Sequence, residues 1–475
     1  MKISKRFNLE KSQAELDFVD IDTSRDIPLF LDPHFLGQRK DNWSTEAVQT
    51  LRSFFQTLLD LIREGNEKEA RKLFNNLHEP NSTCLGLSAY KPDGNGVGQG
   101  DSENIFDRLL KSKAVKTGLI QDIEDNILFI DRFGKDKLSD MTTNIIRKHL
   151  ILYTQNQCNL HNIPLNSNIP SGFFWDKEDC EWKNEYINAL VVDGKQILLI
   201  PKGIVSFSEA YIPRKYYNNF VLDYLQHEHI RLNSALVRER KNGKKFVTKK
   251  DLKEQYPNSK EFLIEFTLAH PEVLERFKRE LGINPLKNVE ISEVNIKQIC
   301  SILGEQLTEI PMGNAEASNY HKKVMGIIQV LFYPKLINPF KEREILQGRK
   351  RIDIVFDNAS TDGIFSRIAN HLHLFCPYIF FECKNYSSDP ANPELDQISG
   401  RFSNQRGRVG FLLCRKLNDK DLFKQRCKDT YNDGRGLVIP LDDQDIINLL
   451  DNFDERNNDF FETYISNLVR EITLN

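Results

Sequence analysis

The chain has 475 residues, more than one hydrophobic core usually spans, so we expect two or three domains. Hydrophobic residues make up 40% and charged residues 28%, with a net charge of −3, which is typical of a soluble globular protein. No run approaches 18 apolar residues and the first residues form no apolar segment, so we expect a cytoplasmic protein with no membrane span, secretory signal or membrane partner.

Residues 1–300 predict a mainly helical α+β module. The run STEAVQTLRSFFQTLLDLIREG predicts a helix that is capped by Ser44 and ends at Gly65. The glycine-rich run GNGVGQG predicts a flexible loop rather than a phosphate cradle. Two short apolar runs around Asp193 and Gly194 predict a β-hairpin near 187–205. A role in recognition, sensing or dimerisation is the natural expectation for such a module.

The basic segment and the cysteines of the chain can each be interpreted in more than one way. Residues 231–256 are basic and broken by a glycine, as in a mobile linker, a surface turn or a phosphate-contacting element. The eight cysteines are scattered without a zinc-ligand spacing, which favours reduced, buried thiols.

Residues 312–475 predict an α/β domain with a mixed sheet flanked by helices, after a boundary near 300–312. Its elements follow in the order helix, strand, strand, strand, helix, strand, helix, strand and a closing helix, with EREIL and RIDIVF as the first two strands. Residues 321–430 contain 19 Lys and Arg against 12 Asp and Glu. This excess of positive charge fits a nucleic-acid partner, although a mixed surface is the alternative.

Three charged residues interrupt the apolar strands of this domain. Asp353 lies in RIDIVF, and Glu382 and Lys384 lie in YIFFECKNY. Alternation along a strand puts Glu382 and Lys384 on one face and Cys383 on the other. If the two strands are neighbours, the carboxylates of Asp353 and Glu382 meet and need a cation between them.

Hard oxygen ligands of this kind suit Mg²⁺, which binds through one or two carboxylates, waters and substrate phosphates. A metal at this place with a lysine beside it is suited to phosphodiester hydrolysis. The tripeptide Glu-x-Lys alone is weak evidence, because it occurs three times in the chain. The structural alternative is an exposed salt bridge on an edge strand.

The two segments GRKRIDIVF and YIFFECKN resemble the core of the PD-(D/E)XK nuclease superfamily, which has the restriction-endonuclease-like fold. The resemblance covers about residues 312–450. It implies that Asp353, Glu382 and the backbone carbonyl of Cys383 bind Mg²⁺, which Mn²⁺ can replace, and that Lys384 is the catalytic lysine. A further acidic ligand from the preceding helix would be Glu316, for which Glu344 on the first strand competes.

The resemblance also implies supporting residues on the next helix. Gln397 would support the site, and Arg401, one turn later, would contact the scissile phosphate unless it forms a surface ion pair. Basic residues on both sides of the strands suit contacts with the phosphate backbone. These are Arg349, Lys350, Arg351, Arg406, Arg408, Arg415 and Lys416.

The function that follows from this resemblance is a Mg²⁺-dependent DNA endonuclease in prokaryotic restriction or antiviral defence. A homodimer is expected because many members cut both strands, and an activator or partner defence protein is a further expectation. Two alternatives stay open. One is a non-catalytic nucleic-acid-binding or interaction protein that kept the fold, and the other is an RNA nuclease.

Overall fold

The computed structural model describes residues 1–78, 80–86, 99–207, 211–281, 286–292, 295–345 and 350–474. Most of the glycine-rich run and Arg349 lie outside these ranges. Lys350 and Arg351 are described only through the backbone of their strand. Within the described ranges the protein has a mixed α/β structure, and no helix is both long and apolar enough to span a bilayer.

Helices dominate the first 309 residues. They are α1 (Ile3–Arg6), α2 (Pro33–Gln38), α3 (Asn42–Arg63), α4 (Glu67–Phe74), α5 (Gln99–Lys111), α6 (Lys113–Lys116), α7 (Asp125–Phe129), α8 (Lys135–Ile145), α9 (Arg147–Leu160), α10 (Pro213–Tyr216), α11 (Leu222–Leu232), α12 (Lys249–Gln255), α13 (Lys260–Ala269), α14 (Pro271–Glu280), α15 (Asn288–Ile291) and α16 (Ile296–Glu309).

The strands of this part form only small sheets. They are β1 (Phe30–Leu31), β2 (Asn166–Pro170), β3 (Phe174–Asp176), β4 (Glu181–Lys183), β5 (Tyr186–Val192), β6 (Lys195–Ile197), β7 (Val205–Ser206), β8 (Arg238–Glu239) and β9 (Lys245–Phe246). The predicted hairpin at Asp193 and Gly194 is confirmed as β5 and β6, in which Val192 pairs with Lys195. The basic segment also forms a small hairpin, β8 with β9, between α11 and α12.

The longest helix begins earlier than the sequence predicts. Asp41, rather than Ser44, caps α3, because the Asp41 carboxylate accepts a hydrogen bond from the Ser44 backbone amide at 2.9 Å. Both residue types are good caps, and the chain uses the first of the two. Ser44 is therefore buried inside the first turn.

A five-stranded mixed sheet organises the C-terminal part. Its elements are α17 (Ala317–Phe332), β10 (Leu336–Ile345), β11 (Lys350–Asn358), α18 (Gly363–Asn370), β12 (Tyr378–Lys384), α19 (Asn392–Ser399), β13 (Val409–Cys414), α20 (Lys420–Asn432), β14 (Leu437–Asp442), α21 (Asp443–Asp451) and α22 (Asp459–Thr473). The sheet order is β10-β11-β12-β13-β14. Neighbours are antiparallel from β10 to β12 and parallel from β12 to β14.

Strand β10 is longer than the sequence predicts, because it begins at Leu336 rather than at Glu342. The register of its pairing with β11 shifts between Ile337 and Phe340. Proline within a strand is tolerated at such a bulge, which explains why Pro339 does not end the strand. Helices α18 and α22 are also absent from the sequence prediction.

Aromatic packing fixes the two faces of β12. Phe381 stacks on Phe411 of β13 with ring centroids 5.0 Å apart, and Phe332 of α17 meets Phe381 edge-on at 5.6 Å. On the opposite face Phe380 stacks on Phe402, just after α19, at 5.7 Å. Since side chains alternate along a strand, Glu382 and Lys384 share the face of Phe380.

The buried apolar residues form two large clusters, one of which spans residues 3–286 and the other mainly residues 300–472. Ala14 and Leu160 from the first half belong to the second cluster. A buried lysine also joins the halves, because Lys202 donates to Asn288 at 2.9 Å and lies 4.1 Å from the ring centre of Tyr333. All eight cysteines are free, and Cys180 is the exposed one.

Candidate active site

The pairing of β11 with β12 brings the predicted acidic residues together. Ile354 pairs with Phe381 in an antiparallel register, which places Asp353 opposite Glu382 at the next position. The Cys383 backbone amide donates a hydrogen bond to Asp353 Oδ2 at 3.0 Å. Asp353 is half-buried, whereas Glu382 is only 1% exposed. The site therefore lies inside the sheet, with β11 on one side of β12 and β13 on the other, and the edge-strand alternative is wrong.

Lys384 is held by two oxygen acceptors. Its Nζ donates to Glu382 Oε1 at 2.8 Å and to Gln397 Oε1 of α19 at 2.8 Å. An ammonium group has three N–H donors, so one donor of Lys384 is left without a hydrogen-bond acceptor among the described residues. Gln397, which the sequence analysis expected to support the site, thus contacts Lys384.

Arg401 forms an ion pair with the other oxygen of the same carboxylate, Glu382 Oε2. It lies just after α19 and is 7% exposed, so it is not the surface ion pair that was one of the two expectations. Burial lowers the pKa of the Arg401 guanidinium, and the charge of Asp353 opposes that shift. Both carboxylates therefore face Arg401, and Lys384 and Arg401 together balance their charge.

His321 is a site residue that sequence reasoning missed. Its Nε2 donates to the Cys383 backbone carbonyl at 3.2 Å, and since a carbonyl only accepts, the contact requires the Nε2–H tautomer. His321 lies on α17, and the sequence gives no signal for it, because the contact depends on how this helix sits against β12. It donates to the carbonyl oxygen that the resemblance assigns to the metal, and the second lone pair of that oxygen is the one a metal ion would use.

The end of β12 is tied to the segment before α17. The Asn385 side-chain amide donates to the carbonyls of Pro311 at 3.0 Å and Gly313 at 2.7 Å, and the Gly313 amide donates to the Asn385 carbonyl at 2.8 Å. These three hydrogen bonds hold the residue that directly follows Lys384.

Arg415, directly after β13, contacts the same region. Its Nε lies 2.8 Å from Asp443 Oδ2, its Nη1 donates to Asn385 Oδ1 at 3.3 Å, and it is 7% exposed. The Tyr320 hydroxyl donates to Asp443 Oδ1 at 2.9 Å. The expectation of a phosphate contact by Arg415 is therefore wrong, because its guanidinium is buried in an ion pair.

Two of the remaining predicted residues, Glu316 and Arg406, have other partners. Glu316 ends a short 3-10 turn before α17, accepts a hydrogen bond from Asn319, and has no contact with Asp353 or Glu382 among the described residues. Arg406 is half-buried and donates to the Arg401 carbonyl at 3.3 Å. Arg349 lies outside the described residues.

The oxygen atoms at the site are of the kind that binds a hard cation, but they are few. Two carboxylates and one backbone carbonyl are oxygen ligands of the kind that Mg²⁺ prefers, completed by waters and phosphate. No group of three His, Cys, Asp or Glu side chains that could hold a metal occurs in the described part of the chain. Asp353 and Glu382 are thus the side chains that would hold the ion, with Arg401 already paired to Glu382.

Comparisons with known proteins concern mainly the first half of the chain. Residues 8–212 match a family described as a domain of unknown function (DUF8370). No curated protein and no solved structure matches the chain. The match ends about 140 residues before Asp353, so it does not include the site.

Proposed function

We propose that the protein is a Mg²⁺-dependent endonuclease that hydrolyses DNA phosphodiester bonds with a C-terminal restriction-endonuclease-like domain. The observation that carries the proposal is the placement of Lys384, which is fixed by Glu382 and Gln397 next to a second carboxylate, Asp353. The sheet order and the sequence resemblance to PD-(D/E)XK nucleases support the same conclusion.

Each side chain has a role in this reaction. Asp353 and Glu382 would hold the Mg²⁺ ion, which when bound supplies Lewis-acid polarisation of the scissile phosphate. Lys384 uses its third N–H donor to orient the attacking water or a phosphate oxygen. Gln397 fixes the ammonium group at that place, and fixed positioning of this kind accelerates the attack of water on phosphorus.

The wider biological role rests on the resemblance alone. A nuclease of this superfamily fused to a large helical module suits prokaryotic restriction or antiviral defence, with DNA as the partner. A homodimer and an activating partner protein belong to the same proposal.

One observation favours a second candidate, a nucleic-acid-binding protein without catalysis. Arg401 already balances the charge of Glu382, so the described arrangement is stable without a metal ion. The two candidates differ in whether Mg²⁺ binds at the site and whether cleavage follows.

The experiment is cleavage of supercoiled, linear and single-stranded DNA, and of RNA, with Mg²⁺ or Mn²⁺. We compare wild type with Asp353→Ala and Lys384→Ala. The matched control is Lys68→Ala, a change at an exposed lysine of α4. The proposal predicts metal-dependent cleavage of DNA that both site variants lose and the control keeps. Cleavage that survives in both site variants contradicts it, and DNA binding without cleavage by any variant supports the second candidate.

A further inference from the structure

A large cavity lies between the start of the chain and helix α17, away from the candidate active site. It has a volume of about 700 Å³, within the range of small-molecule sites in proteins. Its walls come from both halves of the protein: residues 7–11 and 160–162 from the first half, and residues 309–311, 322–323 and 325 from the second. Asp353, Glu382 and Lys384 do not line it.

Three lysines line this cavity. Lys322 and Lys323 lie one helical turn before Gly326 on α17, and Lys11 Nζ lies against Gly326. Burial lowers the pKa of Lys11, Glu15 at 3.8 Å raises it, and the charges of Lys323 and Lys322 lower it further. Lys322 is exposed and has no ion-pair partner among the described residues. Like charges held close together repel, so an anion at this place is stabilised.

The protein makes room for this cluster at Gly326, in the middle of α17. A Cβ atom at Gly326 would lie 2.8 Å from Lys11 Nζ and 3.1 Å from Glu15 Oε1. Glycine inside a helix costs about 0.5–1 kcal/mol relative to alanine. The glycine is therefore explained by the lysine that lies against it.

His161 adds an unused polar atom to the wall. Its Nε2 is buried and has no hydrogen-bond partner in the described part of the chain. Burial and the charge of Lys11 lower the pKa of His161 to about 3, so the ring is neutral. A buried nitrogen without a partner is costly, and a ligand that hydrogen-bonds to it removes that cost.

Four carboxylates also line the cavity, those of Glu10, Glu15, Glu309 and Glu316. Carboxylates accept hydrogen bonds from amino groups. A fitting ligand thus carries both negative charge and N–H donors, as a nucleotide with an amino-bearing base does.

We propose that this cavity binds a nucleotide, with its phosphates held by Lys11, Lys322 and Lys323 and its base directed to the carboxylates. Binding does not depend on the function proposed above. An effect on cleavage would rest on that function, since Pro311 lies in the cavity wall and its carbonyl accepts a hydrogen bond from Asn385, next to Lys384.

The test is isothermal titration calorimetry of the full chain with ATP, GTP and tripolyphosphate, in buffer with EDTA so that no metal contributes. We expect one nucleotide to bind with a Kd below ~100 µM. Lys322→Glu should weaken that binding at least tenfold. Lys68→Glu makes the same charge change at an exposed residue of α4 and should leave the binding unchanged. Lys322 is exposed, so the variant should fold, and its melting temperature checks this.

Three outcomes would overturn the inference. The first is that wild type binds neither ATP nor GTP. The second is that the Lys322→Glu variant binds the nucleotide as tightly as wild type does. The third is that wild type binds tripolyphosphate as tightly as both nucleotides. The titration is repeated with Asp353→Ala, which removes the proposed nuclease site. Binding that persists in that variant supports the cavity whether or not DNA cleavage is observed, whereas binding lost in it places the nucleotide at the nuclease site and overturns the cavity assignment.

Discussion

Arg401 forms an ion pair with Glu382 in which the two side chains are 8% and 1% exposed. Lys384 occupies the other oxygen of the same carboxylate. Glu382 is therefore neutralised by its own chain, and a cation that binds to it must share it with Arg401. This arrangement makes the stability of the protein and the proposed metal binding depend on the same carboxylate.

The first prediction is that Arg401→Ala destabilises the protein and makes it sensitive to metal. Removing one partner of a buried ion pair costs about 3–5 kcal/mol, because the other charge stays buried without compensation. We expect urea unfolding in EDTA to show that loss, and Mg²⁺ to restore part of it. Arg435→Ala is the control, since its pair with Asp396 is exposed and such pairs contribute less than about 1 kcal/mol. Equal losses in the two variants would refute the prediction.

The second prediction concerns Gln397. Gln397→Leu removes one of the two acceptors of Lys384, and a hydrogen bond to a charged group contributes about 1.5–3 kcal/mol. We expect the cleavage rate constant to fall about tenfold or more, while Gln397→Glu keeps the acceptor and cleaves faster than Gln397→Leu. Single-turnover cleavage measures both. A Leu variant that cleaves like wild type would show that Gln397 does not position the lysine.

The third prediction compares two buried helical glycines. A Cβ atom at Gly304 would meet only Ile447, at 4.0 Å, so Gly304→Ala should stabilise the protein by about 0.5–1 kcal/mol. Gly326→Ala gains the same helix propensity but displaces the Lys11 ammonium group, so its stabilisation should be smaller. Urea unfolding of both variants measures the difference. Equal stabilisation would mean that Lys11 moves aside at no cost.

The fourth prediction is a pH dependence of stability. Burial lowers the pKa of His149 to about 4, although Glu46 raises it, and the ring nitrogen lies 2.9 Å from Thr50 Oγ1. The unfolded histidine titrates near ~6.5, so the unfolded state takes up the proton first and stability is lost as pH falls from ~6.5 towards 4.

His149→Gln should remove this contribution. Between about pH 4.5 and 6 the free energy of unfolding should rise with pH less steeply in the variant than in wild type. The difference between the two slopes should be up to about 1.4 kcal/mol per pH unit. Urea unfolding at several pH values checks this. An unchanged slope would show that His149 is protonated in the folded protein.

The sequence predicts the central residues of the site because strand alternation is a local property. Asp353, Glu382 and Lys384 each occupy a position that periodicity alone assigns to a face, and the pairing of β11 with β12 then brings the two acids together. The face that each of these residues occupies needs no knowledge of how distant elements pack. Gln397, by contrast, was predicted from the resemblance to the PD-(D/E)XK nucleases.

Packing decides the features that the sequence analysis missed. The contact of His321 with the Cys383 carbonyl and the ion pair of Arg415 with Asp443 join elements more than 25 residues apart. The bulge that lets β10 include Pro339 depends on its partner strand, so a local pattern predicts a break there. Conversely, the Asp41 cap of α3 is a local feature, and the sequence analysis placed the cap at Ser44, three residues too late.

The two halves of the chain share a hydrophobic core, because Ala14 and Leu160 pack with residues of the C-terminal sheet domain. In evolutionary terms, neither half can be replaced by an unrelated domain while the other half stays the same. Residues 312–475 grafted onto an unrelated partner would lose those contacts and expose apolar surface. We therefore expect Ala14 and Leu160 to vary together with the residues they contact across related sequences, so that the helical module and the C-terminal sheet domain are inherited as one unit.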